Sequence, residues 1–411
     1  MKASGRLRVA LISLALGLAF SLNAGNTFGQ DVGADVGGGA GIFRAKNPEA
    51  KKKPKTGSTS TKPANRSSRN SSAGVADKIE ELLDSGNSYR DARRFSEAEQ
   101  AYEGVLKLKA TDARGAYGLG NVYSDQQRWE DAEKAYRNAV LWAPTDADAC
   151  VALSVVLVQP LAGGDNAKRF ADAETFARRA VQIDPKNAVG WDRLGVALQA
   201  RAIYNSETEH SHRRAMELDP QLAVAYVHLA KVLNRTGRQV EARPLYDKAT
   251  ELAKDPATLN LIAESLQAEQ FWPASETVLK RALELDARNP TSLVLMGRFL
   301  IVHKRYSEAE PYLKTATEVS SKAFQPFILL GRTYLALDRL SEAEVTYERA
   351  STLAVLGEKK QLAGTFGFEG VGDGYMKAKQ KQNAARAYQR ALELDPSNKA
   401  IEQKLAKARQ N

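Results

Sequence analysis

Four histidines and one cysteine are the side chains in this sequence best suited to metal binding or nucleophilic chemistry. His210 and His212 are the closest pair, but two positions apart on a helix they project about 200° from each other and cannot share an ion. His228 and His303 have no His, Cys or paired carboxylate near them in the sequence, so neither a metal nor any other cofactor is expected. Cys150 is alone, which rules out an internal disulfide and any Cys₄ or Cys₂His₂ zinc site. Gly370, Gly372 and Gly374 come nearest to a phosphate loop, but no strand precedes them. The run Gly37–Gly39 lacks the Gly-Lys-Ser/Thr ending that would hold a triphosphate. No His-Glu-x₂-His, Gly-x-Ser-x-Gly or dinucleotide fingerprint occurs. No catalytic residue can be named, and the expectation is a protein that is not an enzyme.

The charge is unevenly placed. Of the formal +10, Lys2, Arg6 and Arg8 supply +3 and residues 31–75 supply +6, while the other 336 residues carry 47 basic and 46 acidic side chains. The three basic residues precede an apolar stretch, Val9–Leu22, and a small residue at Ala24. That layout predicts a signal peptide over 1–24, with cleavage as late as residue 30, and export to the periplasm or beyond the cell; an uncleaved membrane anchor is the lesser alternative. Residues 25–75 are Gly-rich, then Lys-rich, then Ser-rich, with too little apolar surface to offset the entropy of ordering, so they predict a disordered tail. Lys51, Lys52, Lys53 and Lys55 offer at most a weak contact to an anionic surface, and no specific nucleic-acid binding is expected.

The remainder repeats with a period near 34. Repeats begin near Ile79, Ala113, Ala147, Ala188, Ala223, Pro256, Pro290, Phe324 and Thr365. The eighth residue of each is small: Gly86, Gly120, Ser154, Gly195, Ala230, Ala263, Gly297, Gly331 and Gly372. Two later positions are also small, Ala132 and Ala139 in the second repeat, and only Val105 and Glu207 break the rule. Large side chains such as Tyr123, Trp129 and Tyr136 fill the space that the small ones leave. Pro144 closes the second repeat, and Trp191, Leu194 and Gly195 open the fourth.

This pattern resembles the tetratricopeptide repeat, whose signature is Trp-x₂-Leu-Gly-x₂-Tyr, then Ala-x₃-aromatic, then Pro. The resemblance implies an all-α fold, a right-handed superhelical solenoid of helix-turn-helix units over 76–398, with 399–411 as a C-terminal capping helix. Cys150 stands where Trp191 stands in its own repeat, so it should be buried and unreactive. Departures from the period fall at Gln159–Lys168, a loop by its Pro160, Gly163 and Gly164, and at Glu358–Gly364, which could simply lengthen a helix. The fourth repeat has one extra residue and unusual polar content, and should be the most distorted.

Similarity to this family further implies a concave groove lined by the first helix of each pair, binding a segment of a partner protein. Carried onto this chain, the lining includes Asn121, Lys231, Asn234, Arg235, Arg298 and Arg332, with Asp192 on a neighbouring stripe. The Lys/Asn/Asn/Lys/Arg clamp by which some members grip a terminal carboxylate is not reproduced. The basic residues, with Val294, Ile301 and Ile328 among them, predict a preference for an acidic and apolar segment. The expected function is a protein-interaction scaffold. The competing one is a binder of envelope polymer or another anionic surface, docked by the basic tail with the solenoid as spacer.

Overall fold

The computed structural model describes the backbone of residues 67–410 and side chains from residue 74 onward. The predicted signal peptide and the Lys51–Lys55 cluster therefore lie outside the described residues. Two compact bodies divide the chain, one ending at Leu252 and one beginning at Ala253.

Among the described residues the first body is built of five helix pairs: α1 (Ser67–Asp91) with α2 (Phe95–Leu108), α3 (Ala113–Asp125) with α4 (Trp129–Trp142), α5 (Ala147–Leu157) with α6 (Asn166–Ile183), α7 (Ala188–Ala200) with α8 (Ser206–Leu218), and α9 (Ala223–Arg235) with α10 (Gln239–Leu252). The second holds α11 (Pro256–Ala268) with α12 (Trp272–Leu285), α13 (Pro290–Val302) with α14 (Tyr306–Val319), α15 (Phe324–Ala336) with α16 (Leu340–Ser351), and α18 (Phe368–Lys377) with α19 (Lys381–Leu394). A short α17 (Leu356–Ala363) and a final α20 (Lys399–Arg409) complete it. Within each body a helix packs on its own partner and on the next pair, and no strand occurs among the described residues.

Three expectations about boundaries need correction. α1 starts at Ser67, so the last residues assigned to the tail are helical; once a helix is nucleated, each further residue adds a hydrogen bond at little cost. The Glu358–Gly364 insertion does not lengthen a helix but forms most of the separate α17, whose Leu362 and Ala363 are buried. In the fourth repeat the extra residue lies in the turn, where Asn205 caps α8 by accepting from the Glu207 and Thr208 amides. The buried small position there is thus Thr208 and not Glu207, which pairs on the surface with Arg178.

Helix starts follow from side-chain caps. Asp112, Asp146, Asn187, Asp255 and Asn289 each accept a backbone N–H at the head of the first helix of a pair. Tight turns end those helices. Among the described residues, seven turns place a non-glycine residue in the left-handed region, Arg93, Gln127, Ala202, Gln270, Lys304, Asp338 and Lys379, and an eighth uses Gly237. At Ala202 (φ 58) the Ile203 amide donates to Leu198 O and the Ala202 amide to Gln199 O, the bonds of a Schellman cap. A methyl group is disfavoured there by about 1–2 kcal/mol, of which glycine's greater chain entropy returns roughly half to one. Ala202→Gly should therefore raise stability by about 0.5–1 kcal/mol, read as a higher urea midpoint; an unchanged or lower midpoint contradicts the argument.

An arginine ladder joins successive second helices. Arg128, Arg238, Arg305 and Arg339 each reach an acid 29 residues earlier: Glu99 (3.3 Å), Glu209 (2.7 Å), Glu276 (2.8 Å) and Glu310 (2.6 Å). Each also pairs with an acid three residues on. Single exposed pairs add little, but a repeated bidentate network fixes how neighbouring pairs align.

Candidate functional site

The residues assigned to the groove divide between the two bodies, four in the first and two in the second. Asn121 is not a surface residue: it is 1% exposed and accepts the Tyr136 hydroxyl at 2.7 Å. Asn87 and Asp373 hold Tyr102 and Tyr388 in the same way, so in these repeats the lining position serves the pair's own aromatic. Lys231 and Asn234 lie one turn apart on α9 and are half-buried, and Arg235 beside them is exposed with its guanidinium 5.7 Å from the Tyr204 ring. Both amide atoms of Asn234, Nδ2 and Oδ1, are out of solvent and have no hydrogen-bond partner. In the second body, Arg298 pairs with Glu264 at 3.4 Å, and the Arg332 guanidinium lies 4.5 Å over the exposed ring of Phe366. Of the two basic groove residues in the second body, Arg298 is thus charge-paired and Arg332 is packed on an aromatic ring.

Asp192, expected on the neighbouring lining stripe, is instead fully buried. α7, α8 and α9 bring Asp192, His212 and His228 together, which overturns the expectation that these histidines stand apart from carboxylates and from each other. His212 Nδ1 lies 2.9 Å and His228 Nδ1 2.8 Å from Asp192 Oδ1, and the two rings are 5.5 Å apart. Gln199 Nε2 is 2.7 Å from His212 Nε2, and Arg193 approaches Asp192 Oδ2 at 3.6 Å. Burial pulls the His212 pKa below its ordinary value against the attraction of Asp192. Burial alone would raise the Asp192 carboxyl, but its interaction with His228 and the two imidazole hydrogen bonds hold it well below the usual carboxylate range. The spacing signal was partly visible: His212 falls where other repeats have Tyr136, Tyr246 or Leu313, and Asp192 where some have Val151, Val227 or Ile328, although Asn260 and Glu369 share that place.

His210, by contrast, packs edge-on against Trp191 at 5.9 Å, and the Trp191 indole donates to Pro185 O. Cys150 is buried as expected, and burial pushes its thiol pKa up, away from the reactive thiolate. The repeat positions Gly120, Gly297 and Gly331 face Tyr136, Leu313 and Tyr347, while Ala132 is fully buried. Tyr123 donates to Glu99, and the Pro144 carbonyl accepts from Arg179. Gly372 faces Tyr388 within the helix pair, which leaves the Gly370–Gly374 triplet a packing feature.

Family models described as tetratricopeptide repeat match residues 83–149, 325–354 and 367–398. No curated protein matches the chain. Among solved structures, it is similar to a thermophilic TPR protein of Thermus thermophilus, at 21% identity over 46% of this chain and 99% of that one (TM-score 0.40). It is also similar to the C-terminal part of a TPR repeat-containing protein from Cytophaga hutchinsonii, at 17% identity over 58% and 95% of the two chains (TM-score 0.46). A third is YrrB, described as a TPR protein with an unusual peptide-binding site, at 20% identity over 48% and 97% (TM-score 0.35). With small residues at the close helix contacts, capped helix pairs in succession and three family matches along it, the chain belongs to the tetratricopeptide-repeat family, whose stacked pairs are protein-interaction scaffolds.

Proposed function

We propose that the chain is an exported, non-enzymatic scaffold that holds an extended, partly acidic segment of a partner protein against α9 in the first body. The observation that carries this reading is the Asn234 side chain. A carboxamide withdrawn from water with neither donor nor acceptor satisfied costs about 1–3 kcal/mol, and the fold gains nothing visible in return. Asn234 is only half-buried as a residue, so a side-chain rotation that brings the amide to the surface would let it pair with the one N–H and one C=O that an extended backbone offers, the two groups it lacks. Lys231 and Arg235, beside it on the same helix, add positive charge suited to an acidic side chain of that segment. Export rests on Lys2, Arg6 and Arg8 ahead of Val9–Leu22.

Titration of the protein with fluorescent acidic and apolar peptides tests the reading. Asn234→Ala should weaken peptide binding about tenfold, the value of one to two net hydrogen bonds, while leaving the melting temperature unchanged or higher because a buried orphan is removed. Parent-like affinity in that variant overturns the assignment of this site. Removing residues 1–66 should leave peptide binding intact; binding that vanishes with them transfers the function to the basic tail.

A further inference from the structure

We propose that Asp192, His212 and His228 form a binding site for a divalent metal ion of the zinc class, which pins the fourth helix pair to the fifth. One ligand atom from each residue lies within 4.8 Å of the others, and the three come from three successive helices, α7, α8 and α9. Two imidazoles and a carboxylate form a donor set suited to such an ion, with ligand distances of about 2.0–2.2 Å. A tetrahedral ion with those bonds sets its ligands about 3.3 Å apart, so the observed 2.8 and 2.9 Å must open by a few tenths of an ångström, the two imidazole nitrogens, within 4.8 Å of each other, must settle at the same spacing, and a water fills the fourth position.

The helix pair does not require these residues. At the place of His212 the other repeats bury Tyr102, Tyr136, Ala177, Tyr246, Leu279, Leu313, Tyr347 or Tyr388, and at the place of His228 three have Leu261, Leu295 and Leu329, though the first and fourth have Asp84 and Arg193. Burying three ionisable groups is costly; the hydrogen bonds among them offset part of that cost, and coordination of an ion is the other general means of doing so. Gly195 makes the room: a Cβ there would come 2.4 Å from His212 Cε1 and Nε2. An outer partner is also in place. When His212 binds through Nδ1, its Nε2 must carry the proton, and Gln199, 2.7 Å away, can accept that bond through Oε1 after an amide rotation. On loading, the ion replaces each Nδ1 proton, which moves to Nε2 of the same ring or to solvent. Arg193, 3.6 Å from Asp192 Oδ2, must then give up part of its hold on the carboxylate. With the three ligands 0–2% exposed, no substrate reaches them, so the ion acts as a staple between helices and not as a catalyst.

The test uses the full chain, stripped with a chelator and titrated with Co²⁺ and Zn²⁺. The expected result is one equivalent of Zn²⁺ per chain retained through gel filtration, a visible Co²⁺ spectrum of low-coordinate type, and a melting temperature that rises with Zn²⁺ and falls again with chelator. Asp192→Asn and His228→Gln should each weaken binding at least 100-fold, and Gln199→Leu 10- to 100-fold. His210→Gln should bind as the parent does. Circular dichroism confirms that each variant is folded, and the parent titration stands even where one is not. Absence of both a Co²⁺ spectrum and retained Zn²⁺ in the parent overturns the proposal. So does undiminished binding in folded His228→Gln.

Discussion

Gly367→Ala will unfold the junction between α17 and α18. A Cβ at this position would stand 1.9 Å from Leu362 O, 2.6 Å from Leu362 C and 2.9 Å from Leu362 Cα. All three are backbone atoms, so no side chain can swing aside, and the chain around α17 must move as a whole. Movement would also disturb the bonds that seat this segment, the Gly367 amide to Gly364 O and the Tyr347 hydroxyl to Phe366 O, both 2.8 Å. Overpacking usually costs 1–3 kcal/mol where side chains can adjust; with only backbone to yield, about 3 kcal/mol or more is expected. Because repeat arrays are held by nearest-neighbour contacts, the loss should be local. Amide exchange should accelerate in α17, α18 and α19 and stay at parent rates in α3–α8. Gly357→Ala is the control: it lies in α17 with nothing within 4 Å of its Cβ, and should be neutral or slightly stabilising. Parent-like protection of α17 and α18 in Gly367→Ala would show that the junction can admit a methyl group and would overturn the argument.

What the sequence made legible is what repeats. Small residues at the eighth place of every period reveal the close helix contact because the constraint is local and recurs, and in the structure Gly86, Gly120, Gly331 and Gly372 each face a tyrosine of their own pair. The turns were harder to read, since left-handed positions at Arg93, Gln127 or Lys304 carry no glycine to mark them. The arginine ladder is present in the sequence as an Arg and an acid 29 apart, a spacing that does not coincide with the 34-residue period. Asn121 was misplaced because polar residues on the lining stripe look like binding residues until the tyrosine they hold is seen. The Asp192 cluster escaped for a different reason: its members are 16 to 36 positions apart, and only stacking of three helices brings them together. Its trace in the sequence is the polar character of the fourth repeat, which marks that repeat as unusual without showing which of its side chains meet.

Gly120→Leu should cost about 3 kcal/mol or more, and Gly120→Ala only about 1 kcal/mol. The ring of Tyr136 lies against Gly120 so closely that a Cβ would come 2.5 Å from Cε1 and 2.6 Å from Cδ1. That ring cannot retreat freely: its hydroxyl is bonded to the buried Asn121, and its face meets Tyr117 edge-on at 5.7 Å. A single methyl group nonetheless has a precedent in the molecule. The fifth repeat pairs Ala230 with Tyr246, both fully buried, so the helices of a pair can stand far enough apart to admit a Cβ. For alanine, a gain of up to about 1 kcal/mol in helix propensity offsets much of the overpacking. Leucine adds three further carbons at a contact that no repeat fills with more than alanine or serine, and propensity returns no more than before. Urea unfolding followed by circular dichroism separates the cases, with the leucine variant losing the transition of the first body at the lowest denaturant. A leucine variant that unfolds with the parent would mean that the close contact lies elsewhere in the pair and that the 34-residue register has been set one face too far round the helix.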